Sequence, residues 1–224
     1  MLAGLLASAC SAPPDQSIIV SAARAPGTAC DFSDATKYVE GGALDLSVPP
    51  LYQSYYQVFS WENDLQNISV TVNTQITSET PNTFIATTIK DNYVMVGGTS
   101  PPNGLVSITA SIAPGATSST NSVGVYLLTT AAIQAICGGN VVGNDNCPGF
   151  QPTAAAPTAT LLVTFQIAGA LVGGGAAQTN PITFPLTLFK GGHFDNATGM
   201  CAAGYNPTTT SCGVPGRDIA YCEP

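Results

Sequence analysis

The chain has 224 residues, of which 45% are hydrophobic, enough for one large β core or two small ones, yet only 8% are charged, against roughly 25% in an ordinary soluble domain. Its formal net charge is −8, and its five basic residues, Arg24, Lys37, Lys90, Lys190 and Arg217, are scattered. No cationic patch is available to displace counterions from a phosphate backbone or to dock on anionic lipid, so nucleic-acid binding and electrostatic membrane attachment are both disfavoured.

The first stretch, "MLAGLLASAC", is apolar but too short to cross a hydrocarbon core, which takes about 20 helical residues. Its last residues, Leu6-Ala7-Ser8-Ala9-Cys10, resemble the lipobox of bacterial lipoproteins, in which the cysteine thiol receives a diacylglycerol and becomes the mature N-terminus. Residues 1–9 then read as the remnant of a signal peptide whose basic start lies upstream. Residues 10–29 read as a lipidated tether carrying one edge strand at 17–21. Ala7-Ser8-Ala9 also satisfies the small-residue rule for ordinary signal cleavage, which would leave Cys10 as a free terminal thiol, and a short native strand or helix is the third reading. By resemblance to other lipoproteins, Ser11 implies sorting to the outer membrane.

From residue 30 onward the pattern is β. Short runs rich in β-branched and aromatic residues, bounded by Gly, Pro and Asn, predict strands at 55–61, 66–76, 84–96, 104–112, 122–128, 160–168 and 182–189. In "ISVTVNTQI", Ile68, Val70, Val72, Thr74 and Ile76 share one face, which predicts a single strand with one dry side. "LVSITASI" places Val106, Ile108, Ala110 and Ile112 inward, and "LLVTFQIA" does the same for Leu161, Val163, Phe165 and Ile167. "TTAAIQAI" predicts one short helix over 129–136 with a threonine cap. The glycines of "AGALVGGGAAQTNPITFPLTL" predict the turn of a terminal hairpin. Each sheet so built has one apolar face to cover, so a two-sheet antiparallel sandwich over 30–189 is expected. Residues 190–224 turn to Gly, Asn, Thr and Cys and predict a disulfide-stapled, loop-rich segment packed on one end of the sandwich.

Seven cysteines are present: Cys10, Cys30, Cys137, Cys147, Cys201, Cys212 and Cys222. Lipid on Cys10 leaves six, which allow 15 disulfide connectivities. Paired C-x₂₋₄-C zinc spacing is missing, so structural bridges are expected, with Cys137–Cys147 the foremost, worth about 2–3 kcal/mol.

The succession "YYQVFSWENDLQNISVTVNTQI", "SITASIAPGATSSTNSVGVYLLTTAAI", "TATLLVTFQIAGALVGGGAAQTNPITFPLTL" and "CGVPGRDIAYC" resembles a group of uncharacterised secreted Gram-negative lipoproteins over most of residues 50–222. That resemblance implies an immunoglobulin-like sandwich and a closing cysteine motif, here Cys212, Gly213, Pro215, Gly216 and Asp218. It implies no activity.

Candidate chemistry is sparse. His193 in "GGHFD" would need Asp195 as orienter and a nucleophile within reach to serve a hydrolase, and no G-x-S-x-G elbow supplies one. Glu62 and Asp64 in "WENDL" fall on one strand face at a glycosidase-like spacing but on a single strand, whereas catalytic pairs flank a cleft from two. "GNDNC" and "DNATG" each hold one carboxylate, Asp145 or Asp195, too few for a calcium loop. Tyr52, Tyr55, Tyr56, Phe59 and Trp61 form an aromatic cluster. If exposed, Tyr55, Phe59 and Trp61, with Glu62 for hydroxyls, would make a carbohydrate-binding surface; strand alternation also allows them to be core anchors, with Tyr56 pointing away. No catalytic, metal or cofactor site is expected. The expectation is an outer-membrane, lipid-anchored, non-catalytic domain that meets a protein or glycan at the cell surface.

Overall fold

The computed structural model describes residues 17–27, 31–47, 55–68, 70–72, 75–78, 80–139, 147–151, 157–191, 193–195, 198, 200–207, 217, 218 and 222–224. In chain order, β1 (Ile18–Arg24), β2 (Tyr38–Val39), β3 (Gly42–Asp45) and β4 (Tyr55–Asn63) come first. Next are β5 (Val70–Val72), β6 (Gln75–Ser78), β7 (Phe84–Met95), β8 (Gly104–Ile112) and β9 (Ser122–Leu128). Helix α1 (Thr130–Ile136) precedes β10 (Thr158–Leu171), β11 (Ala176–Gln178) and β12 (Ile182–Phe189). The C-terminal segment holds the two-residue strands β13 (Phe194–Asp195), β14 (Met200–Cys201), β15 (Asn206–Pro207) and β16 (Cys222–Glu223).

The chain is mostly β, in two main sheets ordered β2-β1-β4-β9 and β3-β12-β10-β7-β8, with β11 folded back on β10. Period-two burial puts Leu161, Val163, Phe165 and Ile167 of β10 wholly inside, as their alternation predicts. The two sheets meet through rings: Phe59 of β4 lies 4.7 Å from Phe165 of β10 and 5.8 Å from Phe184 of β12, and Trp61 lies 6.3 Å from Phe84 of β7. On β8, Val106, Ile108 and Ala110 turn toward the core but stay half-buried, because β8 closes the edge of its sheet. Thr129 caps α1, its hydroxyl accepting from the Ala132 amide at 3.3 Å, and Ala132 and Ile133 face the core.

Three expectations are corrected. The sheets are not wholly antiparallel: β3 pairs in parallel with β12, Gly42 opposite Leu186 and Asp45 opposite Phe189. The chain between the two strands supplies a connection far longer than the dozen residues a parallel pairing needs, and no local pattern announces it. The single strand expected over 66–76 is instead the hairpin β5–β6, with Val72 opposite Gln75, so the chain reverses inside one alternating run. Residues 18–24 are not tether. Ile18, Val20 and Ala23 are buried, β1 sits between β2 and β4, and Asn180 bonds both the amide and the carbonyl of Val20 at 2.7 and 2.9 Å.

Glycine is required where β10 crosses β7. At Gly169, where the register of β10 against β7 shifts, a Cβ would overlap the Ile85 carbonyl oxygen and sit 3.0 Å from Ala86 Cα, both backbone atoms that cannot swing away. Gly169→Ala is expected to cost about 2 kcal/mol, read as a lowered urea midpoint with unchanged slope. The glycines after β10 make the expected tight turn: Gly174 and Gly175 have φ of 101° and 95°, and the Leu171 amide donates to the Gly175 carbonyl at 3.1 Å.

Candidate functional site

Alternation along β4 decides the fate of the aromatic cluster. Tyr55, Phe59 and Trp61 are 1%, 1% and 2% exposed, so they anchor the core and are corrected as a sugar-stacking surface. Glu62, on the opposite face, is half-buried, and Asp64 lies past the end of the strand. The ring of His193 is stacked on Tyr205 at 3.6 Å and 10°, which makes it a packing element of the C-terminal segment. Cys10, Cys30, Cys212, Tyr52, Asp145 and the side chain of Asp195 lie outside the described residues.

The polar centre of the molecule is instead built on Gln57, an inward position of β4 between Tyr55 and Phe59. Its amide nitrogen donates to the Arg24 carbonyl at 2.7 Å, and its amide oxygen accepts from Arg217 Nη2 at 2.9 Å. Arg217 is 7% exposed; its guanidinium lies 4.7 Å over the Tyr55 ring and its Nε donates to Asp218 Oδ2 at 3.0 Å. Asp218 Oδ1 accepts from the Tyr55 hydroxyl at 2.7 Å and from the Ala43 amide at 3.1 Å. The Asp218 amide returns a bond to the Ala43 carbonyl at 2.6 Å, and Arg217 bridges Leu44 of β3. Asp218 holds a φ of 64°, a left-handed conformation that aspartate tolerates. Gly42 is required beneath this contact, because a Cβ there would overlap the Tyr55 hydroxyl.

Burial, reinforced by the charge of Asp218, pushes the Tyr55 hydroxyl above the usual phenol range, so it stays a hydrogen-bond donor. The Asp218 carboxylate that receives it accepts three hydrogen bonds in all, from the Tyr55 hydroxyl, the Ala43 amide and Arg217 Nε. A cleft of about 450 Å³, floored by Tyr55, Arg217 and Asp218 and walled by Val39, Pro185 and Thr187, opens above the cluster. The chemistry is that of a latch: these groups tie the C-terminal segment to β3 and β4. Among the described residues, no three His, Cys, Asp or Glu side chains converge as metal ligands.

In the sequence alone, Arg217 stands out only as a scattered cation and Asp218 only as part of a motif. The signal that points to them is Gln57 itself, since an amide at an inward strand position must find partners.

A second polar group is buried on β7. Asp91 is 3% exposed and Tyr93 lies beside it on the same face, and among the described residues neither carboxylate oxygen of Asp91, nor the Tyr93 hydroxyl, has a hydrogen-bond partner. Burial pushes the Asp91 carboxyl up to about 7. A Cβ at Gly104 would lie 3.1 Å from both Asp91 Oδ2 and the Tyr93 hydroxyl, so glycine leaves them room.

Among the described residues, two disulfides brace the fold. Cys137–Cys147 closes the chain after α1, and Cys201–Cys222 ties β14 to β16. Loop-closure entropy makes the shorter-looped Cys137–Cys147 bridge worth about 2.8 kcal/mol and the longer-looped Cys201–Cys222 bridge about 3.4 kcal/mol. Reduction should therefore lower the urea midpoint, and Cys201→Ser/Cys222→Ser should reproduce part of that loss.

The fold and its polar centre define a mostly β, disulfide-braced domain with a latched C-terminal segment. No family model, curated protein or solved structure matches the chain.

Proposed function

We propose that the chain is a non-catalytic binding or structural domain of the bacterial cell surface, anchored through lipid on Cys10 and belonging to the lipoprotein group it resembles. The observation that carries this reading is the latch: the buried polar side chains Gln57, Arg217 and Tyr55 bond to one another, to Asp218 and to backbone, and so brace the fold. The two disulfides agree with an oxidising compartment. An immunoglobulin-like arrangement is part of the proposal. It is supported by strand order: β1-β4-β9 opposes β12-β10-β7-β8, and the split first strand β3 runs parallel beside β12, the order of an A-B-E sheet over a G-F-C-C′ sheet.

Anchoring is tested by exporting the full chain from a Gram-negative host. A diacylglyceryl mass on Cys10 in the membrane fraction, with Cys10→Ala released as soluble protein, is expected. A soluble, unacylated chain with free thiols would overturn the reading.

A further inference from the structure

The outer face of the first sheet carries what its inner face cannot. Tyr56 of β4 points away from the core, and its partner across the strands is Tyr126 of β9. The rings lie 5.0 Å apart at 58°, and Tyr126 is 48% exposed. Gly124, two residues before Tyr126, explains the pose of Tyr56: a Cβ there would overlap the Tyr56 hydroxyl and lie 2.7 Å from its Cε2. Only glycine lets the Tyr56 ring lie flat across β9, presenting a π-face.

Beside this pair opens a cleft of about 710 Å³, lined by Phe32, Ser33, Tyr56, Ser119, Thr120 and Ser122. Arg24, 3% exposed, fixes its floor: Nε donates to Ser60 Oγ at 2.8 Å, Nη1 to the Phe32 carbonyl at 3.1 Å, and Nη2 to the Ser118 and Asn121 carbonyls, both at 2.8 Å. The walls are thus held in place before any ligand arrives, which lowers the ordering cost of binding.

We infer that this cleft binds a neutral saccharide, the Tyr56 and Tyr126 rings stacking on sugar C–H faces and the serine and threonine hydroxyls meeting ring hydroxyls. Three observations select that ligand class. The Arg24 donors are engaged by neutral oxygens, and the Asp31 carboxylate also lines the cleft, so an acidic ligand is repelled by a chain of net charge −8. The fully buried core of a protein interface is more apolar than the surface around it, whereas here the rings stand among serine and threonine hydroxyls. Tyrosine supplies rigid area at small entropic cost and a hydroxyl at its rim. The inference rests on the binding-domain reading above and does not require the lipid anchor.

The test is a glycan array of neutral hexose and N-acetylhexosamine oligosaccharides, with acidic glycans alongside, followed by calorimetry of the hits on the full chain in detergent. Tyr126→Ala is expected to weaken binding about tenfold. Tyr126→Phe, which keeps the ring, should retain it, and so should Leu105→Ala, which removes an exposed apolar side chain from the other sheet. Far-UV circular dichroism confirms that each variant is folded. Absence of binding to any neutral oligosaccharide at millimolar concentration, binding to acidic glycans alone, or unchanged affinity in Tyr126→Ala would each overturn the inference. All three leave acylation of Cys10 to be judged by its own mass measurement.

Discussion

The stability of the wild-type chain measured against that of Asp91→Asn falls by about 3–4 kcal/mol as pH rises from about 4 to about 8, so that the two curves cross. Asp91 stands on β7 with Phe165 of β10 on one side and Gly104 of β8 on the other, and it is 3% exposed. Its carboxyl, raised to about 7 by burial, stays protonated in the fold well above pH 3.8, the value it has when free in water. Between those values the unfolded chain is ionised and the folded chain is not, so unfolding releases a proton and rising pH favours it. The contribution is fully present below the unfolded value and is lost as pH climbs through about 7.

Nearby Tyr93 does not titrate in this window, because burial raises its hydroxyl above the usual phenol range. Asp34, whose carboxyl is held low chiefly by the Thr36 hydroxyl and amide, acts below it. Asparagine keeps the size of Asp91 and cannot ionise, but its amide brings two N–H donors to a buried place where, among the described residues, neither Asp91 oxygen finds a partner. Asp91→Asn should therefore be the less stable protein at pH 4 and, once the wild-type carboxyl ionises, the more stable at pH 8. Urea unfolding of both proteins at unit steps from pH 4 to 8 measures the difference. Parallel curves would show that Asp91 is ionised in the fold and that burial does not control it.

Arg217→Ala is expected to lower the unfolding free energy by about 3–4 kcal/mol at pH 7. The truncation removes the donor to Gln57 Oε1 in the core, the Nε contact to Asp218 and the cation over Tyr55. The largest share comes from Gln57, which is buried and left with an acceptor that nothing satisfies. The Arg217–Asp218 ion pair itself contributes little, since Asp218 is nearly half exposed and water screens it. Arg217→Ala/Gln57→Leu should therefore recover more than half of the loss, because acceptor and donor disappear together. Additive losses in that double variant would mean that the latch has no coupled centre. Limited proteolysis supplies a second readout: the chain near 217–218 should be cut first in Arg217→Ala, while β10 stays protected.

Much of the fold was legible wherever one strand's burial is set by its own alternation. "LLVTFQI" placed four side chains in the core, and β9 and α1 begin and end within a residue of expectation. The run from 66 to 76 misled, because alternation continues through a reversal and says nothing of the sheet to which a strand belongs. The cluster at 55–61 was legible as a set of rings but not as a site. Its three inward members are core, while Tyr56, the member that alternation turns outward, lies against Tyr126.

Although Ile68, expected on a dry face, is 47% exposed, the sequence by itself determined which residues face inward along β8 and β10, that charged side chains are few, and that β structure dominates. These follow from composition and a period of two, both local properties. Only the tertiary structure decided that Gln57 meets Arg217 across 160 positions of chain, that β3 runs parallel to β12, and that Gly124 lays Tyr56 flat beneath solvent. Each of those contacts depends on how distant strands close on one another, and no periodicity within a strand encodes the strand that will lie beside it.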